Sequence, residues 1–385
     1  MGEGEGKMKA VCFVRPFELA VQVVDKPRVL DKGDCVVKVK YAAICGSDLH
    51  PYRGNETGLD AGTIMGHEFV GQVVEKGADV LAHEIGDQVM CPFTTSCGNC
   101  TMCRLGLTCR CLSGQLFGWV ENGQGLHGGQ AEFVRVPLAD TCLVKVPNGL
   151  DLKKAILLGD ILATGFYCAL RSGLCSDLSP TQPIQPPGQD VVNHEQVIAV
   201  IGCGPVGLCT IAAARYLIRL SGTRAKVVAV DCIPERLDAA TKMGATDTIN
   251  YKQENVPEVV QNLSMSSLGA DFVLEIVGQP SAMKTAYDIL RPGGVISSVG
   301  VHAYEKNTIS PQDAYNKNIS FHSGRCPARE IMGEKYQHHL LAVLQDIPLD
   351  TLFTHQVALD DAVSAYKLFD TRSESMIKCL IDMDL

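Results

Sequence analysis

The sequence predicts an α/β chain, with a β-rich part followed by a doubly wound parallel sheet, and three observations carry that expectation. Up to about residue 160, short alternating runs such as CVVKVKYAAI and FVGQVVEKG recur between Gly, Asp and Pro, the period-two texture of twisted antiparallel strands. From about Ala163 onward, apolar runs alternate with longer helical segments, as a parallel sheet requires. Between one such run and one such segment lies a glycine turn, Gly202-Cys203-Gly204-Pro205-Val206-Gly207.

In chain order, the first part places strands at CVVKVKYAAI, FVGQVVEKG, DQVMC and AEFVRVP. The second part reads as the strand VIAVIG, a helix through Arg219, the strand AKVVAVD, a helix from Pro234 to Met243, the strand ADFVLEIVG, a helix near Ala282 to Leu290, and the strand GGVISSVG. Residues 176–195 stand between the two parts; their prolines and polar filler predict an exposed loop. The uncharged stretch from Val197 to Ala214 is long enough to suggest a membrane span. Its glycines divide it instead into a buried strand, a tight turn and a helix, so no membrane association is expected. No internal repeat is present.

A length of 385 residues suggests two domains of ordinary size. The formal charge of -9, with no basic run, argues against a nucleic-acid partner and leaves small molecules as the better expectation. Seventeen cysteines in a chain with no signal peptide or lipidation motif fit a reducing, cytoplasmic setting in which thiols stay free or bind metal.

Cys97, Cys100, Cys103 and Cys111 form a C-x2-C-x2-C-x7-C array that can surround one tetrahedral ion. Four thiolates saturate Zn2+ and leave no position for water, so such an ion stabilises its lobe and does no chemistry. Cys109 competes for the fourth position, and disulfides or an iron–sulfur cluster are the alternatives to zinc.

The glycine turn has the context of a dinucleotide site: it follows a strand, opens a helix, and precedes an acid, Asp231, that ends the next strand. Gly202 permits the turn, Gly204 lets the backbone approach a pyrophosphate, and Gly207 lets helix and strand pack closely. Asp231 would bond a ribose and repel a 2'-phosphate, which favours NAD over NADP. Arg236 either lies by the same ribose or is a solvated helix charge. A glycine turn without a ligand is the plain alternative.

Two further motifs, Cys45-Gly46-Ser47-Asp48-Leu49-His50 with Gly66-His67-Glu68, and Leu158-Gly159-Asp160-Ile161-Leu162-Ala163-Thr164-Gly165, complete a set of four in one order. Together they resemble the zinc-dependent medium-chain dehydrogenases/reductases, the alcohol and polyol dehydrogenase superfamily, over nearly the whole chain. The resemblance implies a GroES-like catalytic domain made of residues 1–161 and 325–385, carrying the zinc lobe at 97–111. It implies a Rossmann NAD-binding domain at 162–324, interrupted by the proline-rich insertion.

By the same resemblance Cys45, His67 and Asp160 are ligands of a catalytic zinc, the second zinc per chain, and Glu68 ligates it in some states. Asp160 stands where many relatives have cysteine. Asp48 would orient the histidine ligand or, more plainly, cap the short helix that follows. Ser47 and His50 match proton-relay positions. Thr164 and Val206 match residues beside the nicotinamide, Val299 and Val301 those beside its carboxamide, and Lys378 a basic position facing the coenzyme phosphates, with an ordinary surface lysine as the alternative. Phe93 and Trp119 would line the substrate pocket or serve only packing.

The expected activity is oxidation of a primary or secondary alcohol, or polyol, to aldehyde or ketone, with hydride passed to NAD, by a homodimer or homotetramer. GDILATG with GGQAEFVRVPLAD also resembles the formaldehyde dehydrogenase and aldehyde dismutase branch, which retains its NAD. A non-catalytic zinc- and NAD-binding structural or sensor protein is the alternative from another class.

Overall fold

The computed structural model describes residues 6–178, 195–265, 267–303 and 308–385. The chain divides into two compact units. One runs to Asp160 and takes in Pro327–His338 and Phe353–Leu385; the other holds Ile161–Cys326 and His339–Leu352. The expected C-terminal piece, 325–385, is therefore shared between the units. The reason is local: Tyr216 Oη lies 2.7 Å from His339 Nδ1, Phe166 stacks on the same imidazole, and Arg219 pairs with Asp346. The proline-rich stretch 176–195 falls, apart from its ends, outside the described residues.

The first unit is built on a seven-stranded sheet. Its order is Phe353–Ala358, Lys378–Asp382, Cys35–Ile44, Glu68–Lys76, Gln88–Met90 and Val144–Lys145, with Phe133–Val136 also pairing Cys35–Ile44. The alternation read in CVVKVKYAAI sends Cys35, Val37 and Val39 into a core shared with Phe69, Val73, Val89 and Tyr366. Antiparallel register sets Glu68 opposite Ala43 on one side of the central strand and Cys379 opposite Ile44 on the other. The ends of three strands thus meet just before Cys45. The helix Leu152–Gly159, N-capped by Asp151, whose side chain accepts from Lys153 N at 2.8 Å, ends against the same place. A Cβ on Gly159 would sit 2.3 Å from the carbonyl oxygen of Cys91, so only glycine lets this helix end come so close before Asp160 follows.

The second unit holds a six-stranded sheet in the order Asp247–Asn250, Ala225–Asp231, Gln196–Ile201, Ala270–Glu275, Leu290–Ser298 and Ser320–Ser323, parallel throughout. Strand order reverses between Gln196–Ile201 and Ala270–Glu275, the topological switch point at which such sheets open a ligand crevice. These strands are buried on both faces, which is why VIAVI and FVLE read as continuous apolar runs. The helix Pro205–Ser221 begins with proline in its first turn and stops at Gly222 in the left-handed conformation, φ 67°. The edge strands Asp247–Asn250 and Ser320–Ser323 and the helices Val256–Leu263 and Pro311–Lys317 also belong to this unit and were not legible from texture. Among the described residues no helix is long and apolar enough to cross a membrane.

Candidate active site

Cys45 leaves the central strand and its backbone turns at once into the short 3-10 segment Gly46–Asp48, while His67 enters the strand Glu68–Lys76. With Asp160 at the end of its helix, these elements bring one donor atom each from Cys45, His67, Glu68 and Asp160 within 4.8 Å of one another, all four residues buried. Asp160 Oδ2 lies 3.6 Å from Cys45 Sγ and 3.2 Å from His67 Nε2. Ser47 Oγ lies 3.3 Å from Cys45 Sγ and 3.2 Å from His67 Nε2, at the mouth of the same cluster.

Asp48 orients the histidine. Its Oδ1 lies 3.1 Å from His67 Nδ1 and its Oδ2 accepts from the backbone N–H of Cys45 at 2.9 Å, and it makes no side-chain cap to the following helix. With Nδ1–H directed at Asp48, Nε2 is the nitrogen that faces Cys45 and Asp160 and that would ligate an ion there on giving up its proton. Gln130 supports the arrangement by donating to Asp48 Oδ2 and accepting from Tyr366 Oη at 2.9 Å.

The electrostatics show what the cluster lacks. Burial pushes the Cys45 thiol upward, and the neighbouring Asp160 and Glu68 push it further. Burial also raises Glu68, with Lys378 opposing and Asp160 adding to the rise. For His67 burial works against the charged form, but Asp48 and Cys45 outweigh it and hold the ring well above its ordinary range. Three groups that become anions are crowded into one buried place, and Glu68 Oε2 is buried without a partner. A divalent cation is the partner such a donor set fits, and thiolate, imidazole and carboxylate are all zinc donors.

Lys378 corrects an expectation. It faces neither coenzyme phosphates nor solvent: its side chain is 0% exposed, Nζ sits 2.8 Å from Glu68 Oε1, and it also donates to the Ile44 carbonyl at 3.3 Å. The strand register described above makes this contact, since Lys378 and Glu68 flank the end of the central strand. His50 lies on the short helix Leu49–Tyr52 with Nδ1 buried and unpartnered among the described residues, and Phe93 packs edge-on to His67 with ring centroids 6.3 Å apart. Trp119 directs its indole N–H to Glu121.

In the lobe, Cys97, Cys100, Cys103 and Cys111 converge to within 4.8 Å, and Cys109 is outside the group. Backbone N–H groups are turned onto the sulfurs, with Cys97 N donating to Cys111 Sγ at 3.2 Å and Cys100 N to Cys97 Sγ at 3.4 Å. Backbone donors at Leu112 and Cys103 bring the Cys100 thiol down to about 6, whereas burial lifts Cys103 to about 12. None of the seventeen cysteines is joined in a disulfide.

The glycine turn closes as its spacing requires. Gly202 has φ 92°, and a Cβ on Gly207 would stand 1.8 Å from the Gly202 carbonyl oxygen. Asp231, 6% exposed, accepts from Cys203 N at 2.8 Å and from Cys232 N and Ile233 N at 2.7 and 3.1 Å, locking turn to sheet. Arg236 lies part-buried over the turn, Nη1 3.9 Å from Asp231 Oδ2 and 3.8 Å from where a Cβ on Gly204 would be, not out on a solvated helix face. Val206 opens the helix, Val301 is exposed, and the N–H of Val299 donates to the Glu275 carbonyl at 3.1 Å. Thr164 stands half-buried on the helix Ile161–Arg171, beside Gly165, where a Cβ would lie 2.7 Å from Thr210 N.

Residues 31–148 match the family described as alcohol dehydrogenase GroES-like domain, and residues 205–336 match zinc-binding dehydrogenase. The zinc-type alcohol dehydrogenase B of Aspergillus flavus is 40% identical over 373 residues, covering 95% of this chain and 79% of that one. The chain belongs to the zinc-type alcohol dehydrogenase family. The medium chain reductase/dehydrogenase ucsI of an Acremonium species is 43% identical over 311 residues, covering 80% of this chain and 98% of that protein. Among solved structures, the alcohol dehydrogenase TADH from Thermus sp. ATN1 superposes with a TM-score of 0.84 at 33% identity, covering 97% of this chain and 99% of its own. As a medium-chain alcohol dehydrogenase this is an oxidoreductase with a GroES-like part and a Rossmann-like part. Sequence reasoning about this dehydrogenase missed the Lys378–Glu68 pair and a polar cluster around Glu275, although a charge closing the apolar strand ADFVLE was a visible signal.

Proposed function

We propose that the protein oxidises a primary or secondary alcohol to an aldehyde or ketone with NAD as hydride acceptor, using a zinc ion held by Cys45, His67 and Asp160, with Glu68 as an intermittent fourth donor. The observation that carries this reading is the buried convergence of those four side chains within 4.8 Å, one of them with an orphaned carboxylate oxygen. Zinc there would supply Lewis acidity that eases loss of the hydroxyl proton, and NAD would supply the hydride acceptor. Ser47 Oγ, beside both Cys45 and His67, would take that proton, and His50, with its unpartnered Nδ1, would pass it on. Asp48 keeps the histidine ring in the orientation that leaves Nε2 free to ligate. Lys378 holds Glu68 by one oxygen and leaves the other for the ion. The four lobe cysteines would hold a second, structural zinc.

Gly202, Gly204 and Gly207 would cradle the pyrophosphate. Asp231 would meet the adenosine ribose, with Arg236 alongside, and its charge supports NAD over NADP. Thr164, Val206, Val299 and Val301 would surround the nicotinamide. Metal analysis with alcohol-dependent NADH formation tests the whole: the parent protein should hold two zincs per chain, and Asp160→Ala should hold one, stay folded and lose turnover. An Asp160→Ala protein that kept both ions and its activity would remove Asp160 from the ligand set.

A further inference from the structure

At the C-terminal end of the second unit's sheet lies a polar cluster that the hydride transfer proposed above does not use. Glu275 closes the strand Ala270–Glu275 and is 0% exposed. A buried carboxylate needs donors, and this one has three: Val277 N and Gly278 N reach Oε1 at 2.8 and 2.7 Å, and the Ser298 hydroxyl reaches Oε2 at 2.7 Å. The third contact is built in by register, because parallel pairing sets Glu275 beside Ser298 on one neighbouring strand and Ile201 on the other. Ser298 Oγ also lies 2.8 Å from His302 Nε2. A hydroxyl has one proton, and here it goes to Glu275, so its oxygen accepts and His302 must carry its hydrogen on Nε2. The result is a directed chain, His302 Nε2–H to Ser298 O–H to Glu275 Oε2.

The chain ties together the turn after Glu275, the end of the strand Leu290–Ser298, and the stretch that follows it. These pieces touch backbone to backbone: a Cβ on Gly300 would lie 2.2 Å from Gly278 N, and one on Gly278 2.4 Å from the Val301 carbonyl oxygen. Two valines left on this surface, Val277 and Val301, are 42% and 40% exposed, and a Cβ on Gly202 would strike Val277 Cγ2 at 2.5 Å. The surface therefore adjoins the glycine turn, across the switch point from Asp231. A dinucleotide with its adenosine ribose at Asp231 and its pyrophosphate at the glycines must run its other half over these strand ends.

We propose that Glu275, Ser298 and His302 form a hydrogen-bonded brace that holds residues 299–301 as the wall on which the coenzyme's nicotinamide half rests, with Ser298 and His302 as positioning residues. The inference deepens the NAD-site reading above and rests on it.

The test compares parent, Ser298→Ala, His302→Ala and His302→Gln proteins for NADH affinity, read by the nucleotide's fluorescence, and for AMP affinity, read by calorimetry. Ser298→Ala and His302→Ala should weaken NADH about tenfold, the scale of one lost buried hydrogen bond, while AMP, which lacks the nicotinamide half, stays within about twofold. His302→Gln, whose amide N–H can still donate to Ser298, should recover most of the loss. In turnover, the KM for NAD should rise with kcat at saturating NAD little changed. NADH affinity unchanged in both alanine variants, or AMP weakened in step with NADH, would overturn the brace. A parent protein that binds neither nucleotide would remove the coenzyme reading itself, and the brace with it.

Discussion

Lys378 is the residue on which sequence and structure part most sharply. A lysine near the C-terminus reads from sequence as a surface charge or a phosphate ligand, because nothing local says which strand it will pair with. The parallel strand on one side and Cys35–Ile44 on the other bury it completely against Glu68. Burial works against its charge, but Glu68, Cys45 and Asp160 outweigh that and raise its pKa. An ion pair so enclosed is costly to break from one side, since the remaining charge is stranded. Lys378→Met should destabilise the protein by about 3–5 kcal/mol in urea unfolding, and adding Glu68→Gln should recover much of it. Equal stability of Lys378→Met and parent would mean the pair is not what holds Glu68. By contrast Cys45, His67 and Asp160 stand in short local motifs beside a strand end or helix end, so the resemblance could single them out, and the structure brings their side chains together.

Elements explain why the glycine turn was readable and the lobe only partly so. The turn's demands are steric and confined to six residues, so spacing alone exposes them. Gly207→Ala would force a Cβ into the Gly202 carbonyl and should cost about 1–3 kcal/mol of stability while abolishing NADH binding. Retained NADH affinity in that variant would show the helix can shift to accommodate the methyl. In the lobe, spacing picked out Cys97, Cys100, Cys103 and Cys111 but left Cys109 competing for the fourth place, which the path of the short helix Thr101–Arg104 and the turn Thr108–Arg110 decides for Cys111. The Cys100 thiol, ordinarily near 9.0, is lowered to about 6 by backbone donors in the folded lobe. A depressed folded value stabilises the fold above the ordinary pKa and loses that effect as pH falls through the folded one. In chelator-treated protein, the stability gap between parent and Cys100→Ala should therefore narrow as the pH is lowered from about 9 towards about 6. A gap constant across that range would place the lobe's stability elsewhere.

For the whole molecule, the two textures of the sequence and the glycine turn carried the fold class, since antiparallel strands exposed on one face alternate while strands buried on both do not. What texture could not supply was long-range assignment: that His339–Leu352 belongs with the second unit depends on Tyr216, Phe166 and Arg219, more than a hundred residues away in sequence. Among the described residues the strand Ser320–Ser323 ends the second unit's sheet with one edge unpaired. All of these features serve one claim, that the buried Cys45, His67, Glu68 and Asp160 cluster and the glycine turn together run an NAD-linked alcohol oxidation. The most direct test is the absorbance of NADH when the zinc-replete protein is given NAD and a panel of primary, secondary and polyhydric alcohols, with an aldehyde-only arm beside it. NADH accumulating with at least one alcohol, and not with Cys45→Ser protein, is the expected result. Aldehyde consumed with no added NAD and no net NADH, or no reaction in either arm from protein holding both zincs, would contradict it.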